Sequence, residues 1–138
     1  MNVFLDTNVL IDVFLERNPF LADSQKVWFL AERGRIKGFV SALTFPNIFY
    51  VARRLRGPEA AGAMMTMLRD TFVPVSLDAQ ILNQAIDAGF SDFEDAIQYF
   101  SALRADVDCL LTRNPSHFPV KNLAVLTPED FLAAHQFE

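Results

Sequence analysis

A chain of 138 residues, 51% of them apolar, is near the size of one domain and can bury a core between a sheet and its covering helices. Its formal net charge of −5 excludes a protein that grips nucleic acid through a generally basic surface, because phosphate neutralisation supplies most non-specific affinity. No stretch offers the roughly 18 apolar residues of a membrane span, the opening MNVFLDTNVLIDVF has no basic leader, and lone Cys109 sits in an apolar run as a small buried hydrophobe, so a single cytoplasmic domain over residues 1–138, away from membranes, is expected.

Met1 to Leu5 is a short apolar run that predicts a buried first strand with Asp6 at its tip. Asp6, Thr7 and Asn8 open a helix in which Val9, Leu10, Val13 and Phe14 recur at helical spacing; Asn18-Pro19 ends it, and a second helix runs from near Phe20 to Gly34. Lys37 to Ala42 reads as a strand. Leu43 to Arg56 reads as a helix with Pro46 in its first turn, where a missing N–H does no harm. The cluster Arg53, Arg54 and Arg56 at its end either complements the helix dipole or offers local contact to RNA.

Pro58 starts a further helix, and Phe72 to Leu77 predicts a strand that Pro74 assigns to an edge. Asp78 caps the next helix. Ser91 to Asp95 supplies an N-cap and first-turn acids for a helix reaching Ala105. Asp108 to Thr112 and Leu123 to Leu126 read as strands, and Thr127 caps the last helix. This alternation implies βαβ units and a three-layer α/β/α sandwich with a mostly parallel central sheet. Ligands of such sheets bind beyond the carboxyl ends of the strands, which points to Asp6, the segment after Ala42 and the segment after Thr112.

At those places each polar residue has a structural alternative. Asp6 could simply cap the helix that follows it. Asp92, Glu94 and Asp95 complement a helix dipole, but like charges so close oppose one another unless a cation lies between them, and hard ions such as Mg²⁺ or Mn²⁺ take carboxylate oxygens. Thr112, Arg113 and Asn114 either shape a turn before Pro115 or bring polar groups to the same sheet edge. Asn47 can bond a water or bind a metal weakly, though it cannot act as a base. His117 reads more simply as a surface residue than as a ligand, and His135 as structural or solvent-exposed. Trp28, Phe29, Phe49, Tyr50, Tyr99 and Phe100, at helical spacing, are expected in the core or a dimer face rather than stacked on bases.

The segments FLDTNVLID (Phe4 to Asp12), VSALTFPNIFYVARR (Val40 to Arg54), DFEDAIQYFSAL (Asp92 to Leu103) and LLTRNPSHF (Leu110 to Phe118) follow one another in an order that resembles the PIN domain, whose bacterial members include the VapC-like toxins of toxin–antitoxin pairs. The likeness covers essentially the whole chain. It implies a metal-dependent endoribonuclease in which a quartet of acids holds one or two Mg²⁺ or Mn²⁺ ions and activates water against RNA phosphodiester bonds. It also implies an antitoxin partner and a homodimer.

Carried over residue by residue, Asp6 matches the first acid and Asp95 the helical one. Asp6, Asp92 and Asp95 would then be catalytic, with Glu94 a further metal ligand, and Asn8, Asn47, Thr112, Arg113, Asn114 and His117 would line the pocket or meet substrate. Two positions depart from the toxin pattern: Asn47 stands where a glutamate is usual, and His117 where the last acid of the loop is expected. The first departure suits a subgroup with an amide at the second position. Two lost carboxylates weaken the hold on a cation unless Asp92 or Glu94 compensates, so the alternative is a catalytically degenerate PIN domain that binds protein or RNA.

Overall fold

The computed structural model describes residues 1–137. Five strands, β1 (Asn2–Leu5), β2 (Lys37–Ser41), β3 (Val73–Val75), β4 (Cys109–Leu111) and β5 (Ala124–Leu126), form one sheet of order β3-β2-β1-β4-β5. Every pairing is parallel, and Phe4 lies opposite Phe39 on one side and Leu110 on the other. The helices α1 (Thr7–Phe14), α2 (Leu21–Glu32), α3 (Thr44–Arg56), α4 (Pro58–Thr71), α5 (Ala79–Asp87), α6 (Phe93–Ala105) and α7 (Pro128–Ala134) fill the connections and the end of the chain. None among the described residues is long and apolar enough to cross a membrane.

A parallel sheet has both faces covered, so its central strands carry uninterrupted apolar runs instead of alternating ones. β1 follows this rule: Val3 and Leu5 enter one cluster with Val9 and Leu10 of α1, Trp28 of α2, Ile48 of α3 and Phe131 of α7. Phe4 enters the opposite cluster with Tyr99 and Ala102 of α6 and Phe118. Helix α5 packs outside α6 through Ile81 and Ala85 against Ala96 and Ile97. The expected three-layer sandwich is the observed one.

β3 starts one residue later than expected, and side-chain packing accounts for it. Phe72 does not begin β3; its ring turns inward to meet Trp28 edge-on at 4.9 Å and lies where a Cβ on Gly38 would collide with it. A glycine in β2 therefore lets a helix-end aromatic approach the strand backbone. Pro74 falls on the edge strand, as its missing donor requires. The order of strands reverses at β1, which has β2 on one side and β4 on the other. The crevice of such a sheet opens at this switch point, beyond the carboxyl ends of β1 and β4.

Candidate functional site

Asp6 occupies the N-cap position of α1 with φ −64° and ψ 148°, yet its side chain makes no cap hydrogen bond. It is 5% exposed, and its Oδ2 accepts a hydrogen bond of 2.8 Å from the Thr112 hydroxyl at the end of β4. Capping does not account for this buried acid. Desolvation raises its pKa, the hydroxyl of Thr112 and the N–H of Thr7 oppose the rise, and the charges of Glu94 and Asp92 add to it.

The other acids come from the start of α6. Asp92 is the N-cap residue, its Oδ1 accepting from the Asp95 N–H at 3.0 Å. Asp95 presents a carboxyl only 15% exposed, and its pKa is pushed up from 3.8 to about 6, first by desolvation, then by Asp6 and Asp92, with His117 pulling the other way from 3.8 Å. Glu94 is raised too, by desolvation of its carboxyl and then by Asp92. From α3, the Asn47 amide donates to Glu94. Asp6, Asn8, Asn47, Asp92, Glu94 and Asp95 thus line one cavity of about 340 Å³.

Under this cavity runs a buried polar network. Thr7 Oγ1 lies 2.8 Å from Thr44 Oγ1 and accepts a 3.0 Å hydrogen bond from Gln98 Nε2. Gln98 is 1% exposed and also lines the cavity, but its Oε1 has no partner among the described residues. A buried carbonyl without a partner is a costly arrangement that a ligand, ion or water would relieve. Sequence reasoning missed Gln98. Its signal was there: three residues after Asp95, it shares that acid's helix face.

The remaining expected residues are partly gathered. Thr112 holds Asp6 from behind, and the N–H of Asn114 donates to Thr112 Oγ1 at 3.3 Å while the Asn114 side chain is exposed. His117 stands at the rim beside Asp95. Arg113 is not brought to the cavity. Its Nε lies 3.1 Å from Oδ2 of the fully buried Asp12, and its guanidinium stacks over Phe20 at 4.6 Å, lining a separate cavity. Successive residues leaving a strand point to opposite sides, so Thr112 facing Asp6 sends Arg113 the other way.

Of the aromatics expected in the core or a dimer face, Trp28 and Tyr99 are buried, whereas Phe29 at 39% and Tyr50 at 68% are exposed and lie outside the core, Tyr50 in the wall of the acid cavity. Among the described residues no three His, Cys, Asp or Glu side chains already stand as a ligand cluster, because the acids are turned toward protein donors.

The PIN domain family profile matches residues 2–116. No curated protein sequence matches the chain. Solved structures share its fold at low identity. VapBC-1 from nontypeable Haemophilus influenzae has a TM-score of 0.69 and 18% identity, covering 94% of this chain and 99% of its own. A toxin–antitoxin complex from Klebsiella pneumoniae has 0.68 and 20%, with 91% and 97% covered. VapC20 from Mycobacterium tuberculosis, a toxin that cleaves the sarcin–ricin loop, has 0.63 and 14%, with 78% and 86% covered.

Proposed function

The chain belongs to the PIN domain family, and from that premise we propose that it is a metal-dependent endoribonuclease and the toxin of a toxin–antitoxin pair, centred on Asp6, Asp92 and Asp95. The observation that carries this is the convergence of acids from two distant segments on one cavity at the switch point of the sheet, with the carboxyls of Asp6, Glu94 and Asp95 all raised. Burial is the first cause of these raised carboxyls and the neighbouring acids a further one, a combination more typical of functional sites than of surfaces.

The residues fit Mg²⁺ or Mn²⁺. Carboxylate, amide and water oxygens are the donors such hard ions take, and the partnerless Oε1 of Gln98 gives the cavity a further buried acceptor. Asp6 and Asp95 would hold the ion, with Asp92 and Glu94 at the rim. Bound there, it would supply an activated water and neutralise charge on the attacked phosphate. The protein contributes position. Thr112 fixes the Asp6 carboxylate, the cap bond from the Asp95 N–H fixes Asp92, and Gln98 Oε1 is free to accept from a water lying between the acids. His117, when protonated, balances Asp95 at the open side.

The degenerate reading has its own support: the Asn47 amide donates to Glu94 and so occupies a carboxylate that an ion would otherwise take. Thermal unfolding of metal-stripped protein titrated with Mn²⁺ separates the two, since a ligand bound only by the native state must stabilise it. A saturable rise in Tm that Asp6→Asn abolishes, together with Mn²⁺-dependent cutting of RNA, is the expected outcome. No rise at millimolar Mn²⁺ would leave a domain that binds a partner and cuts nothing.

A further inference from the structure

Helix α3 carries a continuous path from the acid cavity to solvent. Asn47 and Tyr50 both line the cavity, and Arg54 lies one helical turn beyond Tyr50 with its guanidinium 6.0 Å from the centre of that ring. At 1.5 Å rise per residue, Tyr50 stands about 4.5 Å and Arg54 about 10 Å along the axis from Asn47. The buried side of the helix is elsewhere, at Thr44, Ile48 and Ala52. An aromatic two-thirds exposed beside several carboxylates is poorly explained by packing, and its immediate neighbours Arg53 and Arg54 are exposed cations on a chain of net charge −5.

We propose that Tyr50 and Arg54 form a subsite for single-stranded RNA on the wall of the acid cavity, Tyr50 stacking a base next to the phosphate that enters the cavity and Arg54 holding a neighbouring phosphate. This rests on the ribonuclease reading above. Stacking on an aromatic ring and phosphate contact by arginine are the two interactions by which proteins hold single strands with little sequence preference, and a duplex would offer Tyr50 no free base face. The subsite would also meet the electrostatic problem of the cavity, because acids alone repel the RNA backbone and the only nearby cations on this helix are the arginines of its last turn.

Fluorescence anisotropy with labelled octa-adenylate and octa-uridylate tests it, in Ca²⁺ instead of Mn²⁺, with RNA length checked on a gel after each titration. Tyr50→Ala should weaken octa-adenylate binding by about ten-fold or more and erase any preference over octa-uridylate, while Tyr50→Trp restores both. Arg54→Ala should reduce the slope of log Kd against log salt by about 0.7. The Mn²⁺ thermal titration runs beside it on the same proteins. Normal Mn²⁺ stabilisation with equal RNA affinity in wild type and Tyr50→Ala would overturn the subsite and leave the ribonuclease reading standing. Loss of Mn²⁺ stabilisation already in the wild type would remove that reading. Equal RNA affinity accompanied by a change of oligomeric state in Tyr50→Ala would assign the surface to a second copy of the chain and overturn the subsite as well.

Discussion

Replacing Asp95 by asparagine keeps its volume and its place in the first turn of α6 but removes a charge that the fold holds unwillingly. The folded pKa of about 6 stands above the ordinary 3.8. The native state therefore binds more protons than the unfolded chain between those values, and stability is lost as pH rises from about 4 through about 6. Roughly 2 pH units at about 1.4 kcal/mol each set a ceiling of about 3 kcal/mol above pH 6. Solvent reaches the open side of the carboxyl and holds the gain below that ceiling. Asparagine imitates the protonated form. In EDTA at pH 7, Asp95→Asn should raise Tm by up to roughly 10 °C, and the gain should vanish at pH 4. Because Asp6 is the second cause of the shift, the gains of Asp95→Asn and Asp6→Asn should overlap instead of adding. Calorimetry of the wild type, the two single variants and the double variant at both pH values is the assay. An Asp95→Asn protein no more stable than wild type at pH 7 would refute the picture of uncompensated charge in this cavity.

Thr112→Val removes the donor to the buried Asp6 carboxylate and should cost about 1–3 kcal/mol in urea unfolding while moving the onset of Mn²⁺ binding to higher pH. Arg113→Met strands Asp12, which is fully buried and already raised by desolvation, and should cost about 3–5 kcal/mol at pH 7 with recovery in the double variant Asp12→Asn, Arg113→Met. Wild-type stabilisation by a fixed Mn²⁺ concentration should grow as pH climbs through about 6, since the ion competes with the proton on Asp95; a flat profile between pH 5 and 7 would separate the ion from that acid. Gly38→Ala should destabilise by about 1–3 kcal/mol by displacing the Phe72 ring, measured by the same unfolding.

Most of the frame was legible because its signals are local. An apolar run closed by an acid gave β1 and Asp6, a proline in a strand gave an edge, and Asp78 and Thr127 cap the helices they precede. What escaped depends on which side of an element is covered. Phe49 and Tyr50 are neighbours of similar character on α3, yet one is half-buried and the other open to solvent, and no spacing within the helix says which face the sheet will take. Arg113 likewise looked like part of the TRN loop's chemistry until its strand exit turned it toward Asp12, a buried acid whose only local context is an apolar helix. Gln98 carries its signal only through its spacing of three from Asp95, which places it on the acid's side of α6 but does not say that this side lies under a cavity.

The network of Thr7, Thr44 and Gln98 sits one step from each arm of the site: Thr7 follows Asp6, Thr44 precedes Asn47 by one turn, and Gln98 follows Asp95 by one turn. Its bonds close over 37 and 91 residues of chain, and the bond from Thr112 to Asp6 closes over 106. Contacts so distant in sequence form late, after the entropy of closing long loops has been met. Asp6 therefore takes its fixed position only once β4 has paired with β1 and brought the Thr112 hydroxyl to it. A chain lacking β4 would keep Asp6, Asp92, Glu94 and Asp95 but lose the neighbouring strand and the hydroxyl that hold Asp6, so whatever the cavity does depends on a strand that supplies none of its acids.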